Sequence, residues 1–393
     1  MNAASSATPP DHREAAPAAG WIRAALEREV LPHADLWEER GRIPAAGWRA
    51  LAGAGLLRLP HSGPGFRHSA VLLEELGRTG YAGIRAAVAV HAYMAASYLP
   101  LLPTARQRNA LRAGVRRGER VGALAISEQG AGTDLLHLAT VAAPARAPGP
   151  GGAEGYRLTG RKVHVANGSQ GGFLVVLART RPSPPSGSLA GLSLFLVDGP
   201  APGLTAVAEP MLGWRAADIC RVELDDVFVP EQALLGRSSY TLSYLFRALR
   251  FERLTAGLLA VGGAAHAIDL VDSFARTHRI NNAPLAANQA VRHGVADLVA
   301  DLELVRQYGR HAARLQGRGD LDDRTASVLK LKATELAAAA ARTCLQYHGA
   351  RGYLADSTVS RVFRDAAAGT IAAGASELML EMVFGSGGPD APG

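Results

Sequence analysis

The hydrophobic period of this chain changes twice, and those changes constrain its fold more than any other feature. Over residues 21–120 apolar side chains recur at helical spacing, as in Ala24, Ala25, Leu26, Val30 and Leu31. Over 121–236 the pattern becomes short apolar runs of strand length at 173–178 and 192–197, with an alternating run at 221–230. The block 156–168 reads as two short strands around a turn at Thr159 and Gly160. From residue 239 the helical period returns, in stretches long enough for antiparallel bundle helices. The expectation is an α+β multidomain chain. It has an N-terminal helical domain at 21–120, a middle β-barrel or sandwich at 121–236 and a C-terminal four-helix bundle at 237–386. The Ala/Pro/Ser-rich residues 1–20 read as a disordered leader and 387–393 as a tail.

Composition removes several function classes. At 393 residues the chain exceeds one ordinary core, which agrees with two or three domains. The net charge is +7, carried almost wholly by arginines scattered along helical segments beside acidic residues, so no nucleic-acid surface is expected. No run of about 18 apolar residues is present, so no membrane span is expected. The N-terminus lacks a basic-then-apolar signal pattern, and a cytoplasmic location is expected. Cys220 and Cys344, the only cysteines, are too few for a disulfide scaffold or a zinc site.

The stretch 123–134 carries the densest chemical signal. An apolar run ends in Ser127-Glu128, and Gly130-Ala131-Gly132 follows with Thr133 and Asp134 at the far side. Glycines let backbone approach a ligand closely, and Ser127 and Thr133 add hydroxyls. Alone, this is equally an ordinary strand and turn.

Later stretches change that. Ala125-Ile-Ser-Glu-Gln-Gly-Ala-Gly-Thr-Asp134 resembles the A-x-T-E-P-G-A-G-S-D of the acyl-CoA dehydrogenase family. Tyr156-x-Leu-Thr-Gly-Arg-Lys-Val-x-Val-x-Asn-Gly168 resembles its Y-x-L-N-G-x-K-x-W-I-T-N-G. Leu212-Gly-Trp-Arg215, Gln346-x-x-Gly-Ala-Arg-Gly-Tyr353 and Arg364-Asp-Ala366 resemble further family signatures, all in chain order. The resemblance implies a non-covalent FAD between the β domain and the bundle, in a homodimer or homotetramer. It implies that Ile126, Ser127, His164, Val165 and Ala166 meet the flavin. Gln346, Gly349 and Ala350 match the loop at the adenosine half, and Ala375 and Glu377 match cofactor-side positions. Gln289 is retained at its family position. The phosphate-binding arginine falls on His278, with Arg279 adjacent. Thr133 matches a position at the pantetheine arm.

The departures bear on the chemistry. The usual base is a glutamate in I-Y-E-G-T-S-E, and here that turn is Ile371-Ala-Ala-Gly-Ala-Ser-Glu377, with Ala373 at the base position. In the isovaleryl-CoA dehydrogenase branch, and in oxidases of prolyl groups on carrier proteins, the base lies on the first bundle helix, where this chain has Glu252. Glu252 is read as the catalytic residue; its plain alternative is a helix carboxylate paired with Arg250 or Arg253. Arg250 and Arg253 join Thr133 as substrate-binding candidates, Arg250 facing a phosphopantetheine phosphate or an acidic carrier protein. His164 replaces a tryptophan and Ala166 a threonine. The function expected is FAD-dependent α,β-dehydrogenation of an acyl thioester, on CoA or a carrier protein, with electron-transfer flavoprotein or oxygen as acceptor. A flavin monooxygenase or oxidative decarboxylase in a biosynthetic pathway stays open as the alternative, and no metal is expected.

Overall fold

The computed structural model describes residues 11–147, 151–182 and 187–385. Six helices come first: α1 (Asp11–Glu29), α2 (Ala34–Arg40), α3 (Ala45–Gly53), α4 (Phe66–Arg78), α5 (Ala82–Ala89) and α6 (Ala105–Arg116). α1 starts at Asp11, inside the stretch expected to be a leader; residues 1–10 lie outside the described residues, as do 386–393 at the tail. Between α5 and α6 the chain passes through a π-helical turn, Val90–Met94, and a 3-10 segment, Ala95–Leu101. A capping box starts α6: Thr104 Oγ1 accepts from Gln107 N while the Gln107 side chain accepts from Thr104 N.

The middle of the chain supplies β1 (Gly122–Ala125), β2 (Val141–Arg146), β3 (Glu154–Val165), β4 (Phe173–Arg179), β5 (Leu192–Asp198), β6 (Leu204–Ala208) and β7 (Cys220–Pro230). They form one sheet in the order β1-β4-β2-β3-β7-β6, with β5 added on β4. β1 runs parallel to β4, and Gly122 pairs with Phe173. All seven residues of β4 are buried, because the sheet is covered on both faces there. The turn expected at Thr159-Gly160 is not a turn. β3 runs through it as one twelve-residue strand with a register shift against β7 between Leu158 and Gly160. Gly160 is there because a Cβ would run into Thr140.

The C-terminal part holds α7 (Thr241–Thr277), the short hairpin β8 (Arg279–Ile280) and β9 (Ala283–Pro284), α8 (Gln289–Arg318), α9 (Asp323–His348), α10 (Thr358–Gly369) and α11 (Ser376–Gly385). Side-chain caps start three of these helices: Asn288 on α8, Asp322 on α9 and Ser357 on α10. α7 is the axis of the molecule, packed on α4, α8 and α9. Its small residues allow that: a Cβ at Gly262 would strike the Glu74 carbonyl, and one at Gly257 would crowd Leu329. The segment Ser238–Thr277 has a mean hydropathy of 1.6 in its most apolar window, long and apolar enough by composition to cross a membrane. Thr255, His266 and Asp269 interrupt its apolar residues, and 72% of the window is buried inside the molecule, as in a core helix.

Candidate functional site

The loop after β1 is pinned by a buried ion pair. Glu128 and Ala131 exchange backbone hydrogen bonds, 3.0 Å each way, which closes the glycine turn. The Glu128 carboxylate accepts from Ala139 N at 2.6 Å, Thr140 N at 3.0 Å and Lys162 Nζ at 2.8 Å. Burial opposes its charge, but the Lys162 ammonium and these donors hold it below the usual carboxylate range. Lys162, fully buried, is pulled down by burial to about 8. Its Nζ also donates to the Ile126 carbonyl at 3.0 Å, and Val163 N donates to the Ser127 carbonyl at 3.0 Å. Ile126 and Ser127 are therefore fixed by β3, with the Ser127 hydroxyl left out of the protein's own hydrogen bonds among the described residues. Thr133 stands exposed beyond the turn.

At the end of β3 the chain makes a tight corner. His164 has a positive φ of 56° and Asn167 one of 59°. Asn167 is buried and donates from Nδ2 to the Ala87 and Gly122 carbonyls, tying the corner to α5 and β1. Val165 and Ala166 are buried between these anchors. The His164 side chain is 66% exposed, with Nδ1 3.1 Å from Glu209 Oε2. Gly168 lies against Cys220, where a Cβ would come within 2.5 Å of the Cys220 Cβ.

Glu252 lies on α7, half-buried, one turn past Ala248 and Leu249 and two turns past Leu245. Those residues pack in the same apolar cluster as Ile126 and Tyr98. Burial pushes the Glu252 carboxyl up to about 7, with Arg253 pulling the other way. The Tyr98 phenol is raised well above its ordinary value by burial, with the Glu252 charge adding to the effect, and its hydroxyl is buried without a partner among the described residues. The arginines beside Glu252 are taken elsewhere. Arg250 Nη2 lies 2.7 Å from Asp323 Oδ2 and Arg253 Nη1 3.2 Å from Asp323 Oδ1, and Arg250 Nη1 donates to the Leu321 carbonyl at 3.1 Å. Both clamp the start of α9, so the plain alternative, a Glu252 ion pair with Arg250 or Arg253, has no hydrogen bond behind it among the described residues, although the Arg253 charge still reaches Glu252.

The turn after α10 is anchored on α9. Ala373 has a φ of 56° and Gly374 one of 94°. Fully buried Lys330 of α9 donates to the Thr370 carbonyl at 3.4 Å and to the Gly374 carbonyl. Burial lowers its ammonium to about 8, and the charges of Glu335, Glu377 and Arg253 reach it, so Lys330 ties this turn to α9 within range of Arg253 on α7. Ala372, Ala373 and Ala375 are small and half-buried, Glu377 is exposed, and Ser376 Oγ is buried with no partner among the described residues. The unpartnered Ser376 hydroxyl beside small alanines, and separately the Ser127 hydroxyl, are groups of the kind that the polar edge and flat face of a flavin could take up.

The remaining candidates gather at the far end of α7 and α9. His278 caps α7 and stacks on Phe274 at 4.6 Å, and Phe274 stacks on His348 at 4.0 Å. Arg279 donates to the Asn282 carbonyl within the β8–β9 hairpin. Gln289, Gln346, Gly349 and Ala350 are exposed at the helix ends around it. The structure thus places Ile126 in the apolar cluster next to Glu252, Ala375 and Glu377 on the turn anchored by Lys330, His164 and Thr133 exposed, and the α7–α9 end candidates on an open face. The residues that sequence reasoning passed over, Glu128, Lys162, Asn167 and Lys330, hold the rest in place. The rarity of lysine, three in the whole chain, was the available signal for Lys162 and Lys330.

Models of the acyl-CoA dehydrogenase N-terminal, middle and C-terminal domains match residues 13–119, 123–227 and 242–386. The chain belongs to the acyl-CoA dehydrogenase family. It is 27% identical over 369 residues to the mitochondrial long-chain specific acyl-CoA dehydrogenase of Rattus norvegicus, covering 92% of this chain and 84% of that protein. It is 30% identical over 366 residues to the short-chain specific enzyme of Bos taurus, covering 91% and 86%. A glutaryl-CoA dehydrogenase from Mycobacterium smegmatis, solved in complex with FADH2, matches with a TM-score of 0.86 over 97% of this chain and 96% of that one; at 21% identity the likeness is one of fold. This acyl-CoA dehydrogenase family member is an oxidoreductase of the flavin-dependent class, with the three-domain order expected from its period changes.

Proposed function

We propose that this enzyme removes the α and β hydrogens of an acyl-CoA thioester, with Glu252 as the base and FAD as the hydride acceptor. The observation that carries the reading is Glu252 itself: a half-buried carboxylate pushed up to about 7, its charge reaching Tyr98 of the cluster that holds Ile126, while the usual base position is Ala373. Ser127, Val165, Ala166, Ala375 and Ser376 would hold the flavin, which when bound accepts a hydride from the substrate β-carbon. Glu252 takes the α-proton; a base titrating near neutrality suits that transfer. Tyr98 and the apolar side chains of α7 exclude water around it. Thr133 lines the thioester arm. Arg250 and Arg253, engaged with Asp323, support α9 rather than reach for the phosphate of a phosphopantetheine arm.

A homo-oligomer completes the cofactor site in this reading. His278, Arg279, Gln289, Gln346, Gly349 and Ala350 would then face the adenosine half of FAD. Large apolar side chains stand exposed nearby, with Tyr353 79% exposed, Ile371 71% and Phe384 85%. The deciding experiment is anaerobic titration of the purified yellow protein with a panel of acyl-CoA and acyl-carrier thioesters. Bleaching by an acyl-CoA supports the reading; a colourless protein, or bleaching by carrier thioesters alone, overturns it.

A further inference from the structure

A cavity of about 580 Å3 lies between α4, α7 and α8, well inside the size range of small-molecule sites. It is separate from the Glu252 site. Its inner wall includes Leu258 and Val261 of α7, and at about 100° per residue Val261 is turned half a circle away from Glu252. Ala313 of α8 continues this apolar floor. On the rim, α8 presents Arg306, Arg310, Arg314 and Arg318, four arginines at every fourth position and so on one face.

Like charges at that spacing oppose helix formation, so the ladder works against the helix that carries it. Only part of it has a structural task. Arg306 is paired with Glu74 at 2.8 Å and with Glu303. Glu75, the other carboxylate on the cavity wall, is held by Arg23 at 2.7 Å. Both wall carboxylates are therefore committed, while Arg310 and Arg318 are exposed and form no ion pair among the described residues. An apolar floor under an arginine rim matches a ligand with an apolar body and an anionic head.

We propose that this cavity binds a small amphipathic anion, an alkyl chain ending in a phosphate or carboxylate. The chain lies on Leu258, Val261 and Ala313, and the head group rests on the Arg310–Arg318 rim. The test is calorimetric titration of the FAD-loaded enzyme with octyl phosphate, octanoate, inorganic phosphate and octanol. Saturable binding of octyl phosphate or octanoate is expected, with inorganic phosphate and octanol inert at the same concentrations. Comparing the two amphiphiles tells which head group the rim takes. The double variant Arg310→Glu/Arg318→Glu, changed only at exposed positions, should lose at least tenfold in affinity while thioester turnover stays as in the parent. Three results would overturn the proposal: no saturable binding of either amphiphile, equal affinity in the double variant, or displacement by thioester substrate, which assigns the binding to the catalytic site.

Discussion

Replacing Glu252 with glutamine keeps the shape of the side chain and removes its ability to take a proton. Loss of a positioned base costs about 10²–10⁴-fold in rate, so reduction of the flavin by substrate should slow by that factor while FAD stays bound. The parent's pH profile carries the same signature. With the carboxyl at about 7, only about a tenth is ionised at pH 6 and roughly nine-tenths at pH 8, so the rate of bleaching should fall as pH drops through 7. Stability should move in the opposite sense. The folded carboxyl is raised above its ordinary value of 4.5, so the folded state holds the proton more tightly than the unfolded chain. Stability from this group is complete at low pH, declines as pH rises between those two values, and stays low above 7. The glutamine variant escapes that decline. It should therefore be more stable than the parent at pH 8, by at most about 3 kcal/mol and by less because the side chain is half-buried. Stopped-flow bleaching without oxygen measures the first effect and denaturant melts across pH the second. A variant that bleaches at the parental rate would refute the assignment of the base.

Other outcomes follow from the same contacts. In the Glu252→Gln background, Ala373→Glu supplies a carboxylate at the alternative base position and should recover part of the bleaching, read in the same stopped-flow assay. Lys162→Met leaves the Glu128 carboxylate buried without its cation, and should cost about 3–5 kcal/mol in denaturant melts and lower the FAD content, because Ile126 loses its anchor. Lys330→Met strands the Thr370 and Gly374 carbonyls, and should cost about 1–3 kcal/mol with faster hydrogen exchange confined first to residues 370–376.

The domain order was legible because period alone separates the helical blocks from the strands, and burial in the structure follows that period. Gly160 shows where local rules stop. Thr-Gly reads as a turn, yet the glycine is required by Thr140 approaching from β2, a contact fixed by the sheet and invisible along the chain. In the site, Glu252 was found through what is missing at Ala373. The roles of Arg250 and Arg253 depended on Asp323, some seventy residues away in the chain and adjacent only once α7 and α9 pack. Lys162 pairs with Glu128 thirty-four residues away and with the Ile126 carbonyl, and Lys330 with the Thr370 and Gly374 carbonyls, partners that only the fold brings near.

The central claim is that this chain desaturates an acyl-CoA, and the mass of the product tests it most directly. Turnover of the thioester that bleaches the flavin, with an artificial electron acceptor, should yield an enoyl product lighter than the substrate by a pair of hydrogens. A product that has gained an oxygen atom or lost carbon dioxide would contradict the account.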